Sequence, residues 1–118
     1  MTRRSQRVGD VLRTELSSII SRRVRDPRVA MTTVSAVDMS PDLKHARVYV
    51  SVVGDDEERQ ASLAALRHAA GYIRGQLAKE LNRLKSIPEL RFELDRGAEY
   101  SQRISELLEN PDEHKQST

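Results

Sequence analysis

Leu63-Ala-Ala-Leu-Arg-His-Ala-Ala-Gly-Tyr-Ile-Arg-Gly-Gln-Leu77 is the stretch that decides the fold. Leu63, Leu66, Ala70, Ile73 and Leu77 step by three or four, and Leu81 and Leu84 carry the stripe on to Ile87-Pro88. That period is helical. Gly71 and Gly75 interrupt it, and each costs about 1 kcal/mol relative to Ala inside a helix. The stretch therefore reads as two helices, 57–69 and 71–84, meeting at Ala69-Ala70-Gly71. Glycine there permits a kink and close approach by another backbone. Just upstream, Gly54-Asp55-Asp56-Glu57-Glu58 suits a helix start, because acids cap it and complement the positive end of its dipole.

Strands flank this pair. His45 to Val52 alternates, with Ala46, Val48, Val50 and Val52 on one face and Arg47, Tyr49 and Ser51 on the other. This predicts a half-buried strand. Met31 to Met39, rich in Val and Thr, is expected to pair with it across the turn Ser40-Pro41-Asp42. Leu90 to Asp95 alternates again, with Phe92 in register with Leu90 and Leu94 and hence in the core. From Ser5 to Arg25 the apolar spacing Val8, Val11, Leu12, Leu16, Ile19, Ile20 and Val24 predicts a first helix, stopped at Asp26-Pro27-Arg28. After Arg96-Gly97 a last helix is expected near 98–108, with Ile104, Leu107 and Leu108 apolar. Asn110-Pro111 then opens a polar, disordered tail. The order is α-β-β-α-α-β with a C-terminal helix, in one domain over 1–109 followed by the tail 110–118.

The length of 118 residues suits a single domain with a modest core. No Cys is present, which excludes disulfides, thiolate chemistry and sulfur-rich zinc sites. No apolar run approaches the roughly 18 residues of a membrane span, and the basic start leads into no signal segment. A soluble, cytoplasmic protein is expected. Net charge is only +2, yet residues 1–28 hold eight Arg against three acids, whereas residues 106–118 hold four acids against Lys115. Sixteen of the 20 basic residues are Arg, the side chain suited to bidentate phosphate contact. A basic body with an acidic end suits a polyanionic partner or a solubilising surface.

A β-α-α-β unit with glycine between its helices, preceded by a helix and strand, is the arrangement of type II KH domains. Three further stretches, Asp26-Pro27-Arg28, Ser40-Pro41-Asp42-Leu43-Lys44-His45-Ala46-Arg47-Val48-Tyr49-Val50-Ser51 and Pro88-Glu89-Leu90-Arg91-Phe92-Glu93-Leu94-Asp95, resemble the bacterial ribosome-binding factor A family. So does Ala69-Ala70-Gly71-Tyr72-Ile73-Arg74-Gly75-Gln76-Leu77, and the likeness runs over residues 5–108. The resemblance implies a cytoplasmic assembly factor that binds the free, immature small (30S) ribosomal subunit and its 16S ribosomal RNA. It implies a part in late maturation, rRNA processing and growth in the cold, without nuclease activity. It also implies that an Ala-x-Gly kink, here Ala69-Ala70-Gly71, replaces the usual KH Gly-x-x-Gly loop. Gly71 and Gly75 are one residue too far apart for that loop, so clamping of four single-stranded nucleotides is not expected.

Around the kink, Arg67, His68, Arg74, Lys79, Arg83 and Lys85 face only Glu80 within 67–85. A cationic ridge beside glycine can reach phosphate oxygens; the plainer reading is a solvated helix face. Arg3, Arg4 and Arg7 are either a second phosphate-binding arm or a frayed end. Tyr72, next to the kink, either packs there or touches RNA, and packing is the expectation. Only Tyr49 stands on an outward strand face, so RNA contact should rest on shape and phosphates, not on a stacking platform.

Catalysis is not expected. His45, His68 and His114 lie in separate segments without ligand spacing. Asp42 serves a turn, and neither a phosphate loop nor a nucleophile elbow occurs. No metal, cofactor, membrane or small-molecule substrate is implied, and a monomer is expected. The competing function is a protein–protein adaptor that docks through the apolar face of 63–84.

Overall fold

The computed structural model describes residues 3–29, 31–82 and 86–95. Among the described residues, three helices lie on one face of a three-stranded sheet. The elements are α1 (Arg3–Arg23), a short 3-10 turn (Pro27–Val29), β1 (Thr32–Met39), β2 (His45–Val52), α2 (Asp56–His68), α3 (Ala70–Glu80) and β3 (Glu89–Leu94). α3 ends four residues before the expected 84, with Leu81 as its C-cap. The expected helix near 98–108 and the tail 110–118 lie outside the described residues.

The sheet order is β1-β2-β3. β1 and β2 form an antiparallel hairpin, Val34 opposite Val50 and Asp38 opposite Arg47, with a bulge at Ser35. β3 runs parallel to β2, Leu90 beside Ala46 and Phe92 beside Val48. A parallel neighbour demands a crossover, and α2 and α3 supply it. Alternation along β2 and β3 sends Ala46, Val48, Val50, Leu90 and Phe92 into the core, where they meet Leu12, Leu16 and Ile19 of α1, Leu66 of α2, and Ile73 and Leu77 of α3. The opposite face carries exposed Arg47 and Arg91 and half-buried Tyr49 and Glu93. There Arg47 Nε stands 2.7 Å from Glu93 Oε2 as an ion pair without an aligned hydrogen bond.

Local signals explain the joints. In the β1–β2 turn, Asp42 Oδ1 accepts from Ser40 Oγ at 2.6 Å and from the Lys44 N–H at 3.0 Å, and Leu43 takes φ 62°. The Ser40 bond leads in holding the Asp42 carboxyl below its ordinary value. Asp55 and Glu58 form a reciprocal capping box at the start of α2: Asp55 Oδ1 accepts from the Glu58 N–H at 2.8 Å, and the Asp55 N–H donates to Glu58 Oε1 at 3.2 Å. Ser62 Oγ, buried in α2, donates to the Arg28 carbonyl and ties the turn after α1 to the core.

α1 sits against the free edge of β1. At Gly9 an added Cβ would lie 2.9 Å from the Val37 carbonyl oxygen, so only glycine lets helix and strand approach this closely.

Candidate nucleic-acid interface

The bend between α2 and α3 is a single residue. Ala69 has φ −86° and ψ 0°, its N–H donates to the Ala65 carbonyl at 3.0 Å, and its carbonyl accepts from the Ile73 N–H at 2.9 Å. Any L-residue reaches that conformation. Gly71 and Gly75 therefore do not make the bend by special dihedrals. Both are exposed in α3, and nothing lies within 4 Å of a Cβ added at either. Among the described residues no other backbone makes the expected approach to Gly71, and the close approach is found at Gly9. Tyr72 also departs from expectation. It is 50% exposed and does not pack into the core, because Ile73 and Leu77 occupy the inward side of α3.

The cations predicted on the α2–α3 ridge have distinct surroundings. Arg67 Nη2 donates to the Phe92 carbonyl at 3.1 Å. Glu89 and Asp95 direct their N–H groups to β2, so by alternation Phe92 faces the free edge of β3. Arg67 therefore covers part of that edge. Arg74 Nε donates to the Pro88 carbonyl and its Nη2 to the Ile87 carbonyl, each at 3.1 Å, clamping the segment that leads into β3. Both guanidinium groups keep further donors, since each carries five N–H groups. His68 and Lys79 are exposed in the last turns of α2 and α3, where a cation complements the negative end of a helix dipole. Arg83 and Lys85 lie outside the described residues.

Arg3, Arg4 and Arg7 do not hang from a frayed arm; they occupy the first two turns of α1 and are exposed. Arg7, Val8 and Val11 line a shallow groove with Glu80, Leu81 and Asn82 at the end of α3. The fold thus gathers Arg3, Arg4, Arg7 and Lys79 towards one end of the helical layer. Arg67 and His68 lie at the bend, about 16 Å from Lys79 along the helix, with Arg74 about midway between. Arg13, Arg22, Arg23 and Arg25 are exposed as well. The arginine count of residues 1–28 included them, but charge alone gave them no place.

A second charged feature joins α1 to β1. Arg28 forks onto Asp26, Nε to Oδ1 at 3.0 Å and Nη2 to Oδ2 at 2.6 Å, and the Arg28 N–H also reaches Oδ1 at 3.0 Å. These bonds, the side-chain ones foremost, lower the Asp26 carboxyl to about 2. Among the described residues, no group of three or more His, Asp or Glu could hold a metal ion. No helix among them is long and apolar enough to cross a membrane.

The family model described as ribosome-binding factor A matches residues 4–108. The ribosome-binding factor A of Thermomicrobium roseum is 44% identical over 113 residues, spanning 96% of this chain and 87% of that protein. Among solved structures, the crystal structure of Thermus thermophilus ribosome-binding factor A aligns with a TM-score of 0.69 at 29% identity, over 79% of this chain and 98% of that one. A homology model of the Thermus thermophilus factor, fitted into the cryo-EM map of a 30S–factor complex, aligns with a TM-score of 0.65 at 30% identity, over 77% and 94% of the two chains.

Proposed function

The chain belongs to the ribosome-binding factor A family, and from that premise we propose that it binds the free, immature small ribosomal subunit through 16S ribosomal RNA. One observation carries the reading. A relative of the same architecture occupies a 30S complex, and the likeness covers 77% of this chain. Binding favours one RNA conformation over another and so assists late maturation and efficient rRNA processing. A factor shifts such an equilibrium only by its differential affinity for the two forms. The protein works in the cytoplasm as a monomer, supports growth in the cold, and uses no catalysis, cofactor or small-molecule substrate.

The architecture we assign is a type II KH domain. Support comes from the mixed sheet, β2 parallel to β3, and from two helices joined through Ala69 between those strands. The residues assigned to RNA are Arg3, Arg4, Arg7 and Lys79 at one end of the helical layer, with Arg67 and His68 at the bend, Arg74 between, and Arg83 and Lys85 beyond α3. Arg67 and Arg74 hold β3 and its lead-in while presenting their remaining donors. An adaptor role loses its motive, because Leu63, Leu66, Ile73 and Leu77 are buried in the domain's own core.

The test is co-sedimentation with immature and mature small subunits at rising salt. Preferential binding to immature subunits, weakening steeply with salt, is expected. Equal binding to both, or binding indifferent to salt, would overturn the reading.

A further inference from the structure

α1 spans about 30 Å, and its two sides differ in kind. Ser5, Gly9, Leu12, Leu16, Ile19 and Ile20 are buried. At about 100° per residue, the line opposite this stripe passes near Arg3, Arg7, Thr14, Ser18 and Ser21. Asp10 and Val11 flank it. Arginines stand at both ends of this side: Arg3, Arg4 and Arg7 at the start, then Arg22 at the end with Arg25 just beyond, all exposed; Arg23, though exposed, continues the line of the buried stripe. Along that line the middle is built of short side chains, with Asp10 the one exposed acid beside it; exposed Arg13 and half-buried Glu15 stand farther round on either side.

Hydroxyl groups mark that middle. Thr14 Oγ1 donates to the Asp10 carbonyl at 3.3 Å. Ser18 Oγ accepts from Arg22 Nε at 2.7 Å, which leaves its own O–H free to donate and lays the Arg22 guanidinium along the ridge. Arg7 and Arg22 are separated by about 22 Å of helix.

We infer that this ridge seats across the minor groove of double-helical RNA, with the arginine ends on the two phosphate walls and the hydroxyl centre over the groove floor. The inference rests on the proposed subunit binding and names the RNA element that this face takes. The A-form minor groove is wide and shallow and displays 2′-hydroxyl groups, which hydroxyl side chains can meet as donors or acceptors. Short side chains let the helix backbone approach the floor, while guanidinium groups reach the phosphates. The B-DNA minor groove is only about 6 Å wide and lacks the 2′-hydroxyl, so it does not admit this ridge. Single-stranded RNA offers no pair of walls at a fixed separation.

The experiment is fluorescence anisotropy of the full chain with an RNA duplex of about 20 base pairs, long enough for a minor-groove contact. The same-sequence DNA duplex and one RNA strand alone serve as comparison probes. The RNA duplex should bind tightest. Arg3→Glu with Arg7→Glu, and separately Arg22→Glu with Arg25→Glu, should each weaken it about tenfold or more and lower the salt slope by about 2. Thr14→Leu with Ser21→Leu should weaken binding to the RNA duplex and narrow its preference over DNA, leaving the part that groove width supplies. Circular dichroism checks folding, and the corresponding Arg→Gln pairs replace any Glu pair that unfolds. Equal affinity for the two duplexes, or unchanged binding by folded reversal variants, overturns the inference. Co-sedimentation of the same proteins with small subunits separates the two claims. A wild type that fails to sediment sinks the functional reading, whereas reversal variants that sediment like wild type sink the ridge alone.

Discussion

Gly9 in α1 and Gly71 in α3 both sit inside helices, where each gives up about 1 kcal/mol relative to alanine. At Gly9 an added Cβ would lie 2.9 Å from the Val37 carbonyl oxygen and 3.5 Å from Met39 Cγ. The oxygen belongs to a strand backbone that cannot swing aside. At Gly71 the same test finds nothing within 4 Å. One glycine is required by the fold; the other leaves bare backbone at the surface next to exposed Tyr72. Helical spacing alone does not separate the two cases. The difference places the tight tertiary joint at α1 and β1, and leaves the α2–α3 bend to be held by other means.

The largest effect should follow substitution at Gly9. Gly9→Val is expected to cost about 3 kcal/mol, and Gly9→Ala about 1–2 kcal/mol net of its gain in helix propensity, in the range seen when extra atoms are forced into packed sites. Urea unfolding of the two variants measures this directly. A Gly9→Ala protein as stable as wild type would show that α1 can ride away from β1, and the contrast with Gly71 would vanish. Next in size is Arg74. Its guanidinium bonds to the Ile87 and Pro88 carbonyls fasten α3 to the segment before β3, so Arg74→Ala should lose about 1–2 kcal/mol. Arg74→Glu should therefore lower the melting temperature as well as weaken subunit binding. A full-stability Arg74→Ala protein would mean that this clamp does not form in solution.

These particular residues also show what the sequence could and could not disclose. β2 was legible to its ends, His45 and Val52, because one face is buried and the other wet, which writes an alternation into the chain. The start of α2 was legible because the Asp55–Glu58 box is complete within four residues. Phe92 followed from the register of Leu90 and Leu94. Gly9 was passed over because it lies on an apolar stripe and its strand partner is distant in sequence. Arg67 and Arg74 read as a plain cationic ridge for the same reason, since their carbonyl partners belong to β3 and its approach. The bend was read at Ala69-Ala70-Gly71 with glycine as the residue that permits it, whereas Ala69 makes it with ordinary dihedrals. Local patterns carry local structure; close approaches and side-chain clamps between distant segments leave little trace in spacing.

The third prediction turns on the surface glycine. With open space around it and a helical conformation, Gly71→Ala should gain about 1 kcal/mol from propensity alone. Gly75→Ala should do the same. The informative readout is the pairing of that gain with subunit binding. If both variants are stabilised and bind as wild type, the bare backbone of α3 has no part in recognition. If they are stabilised but bind more weakly, a partner approaches α3 where a methyl group now stands. Loss of stability would instead show that the bend depends on glycine after all, contrary to the open surroundings of both positions.

The smallest effect belongs to the turn that hands α1 to β1, at the end of the helix away from Gly9. The Arg28 fork holds the Asp26 carboxyl at about 2, below the ordinary 3.8. The native state therefore carries fewer protons than the unfolded chain between those values. The pair's contribution is complete above the ordinary value and is lost as pH falls towards about 2. Asp26→Asn should remove that part of the acid sensitivity and leave neutral-pH stability little changed, since an exposed pair is weakened by solvent and salt. Melting temperature recorded through the acid range at low and high salt tests this. Wild type should fall more steeply than Asp26→Asn at low salt, and the two curves should converge as salt screens the fork. Parallel curves at low salt would mean that the fork does not form. The turn would then be held by the Val29 N–H on the Asp26 carbonyl, by burial of Val29 and by the Ser62 hydroxyl on the Arg28 carbonyl, and Ser62→Ala should loosen it. With the fork intact, and α1 pinned to β1 at Gly9, that same substitution should leave the helix seated and register only as the loss of one hydrogen bond, about 1 kcal/mol.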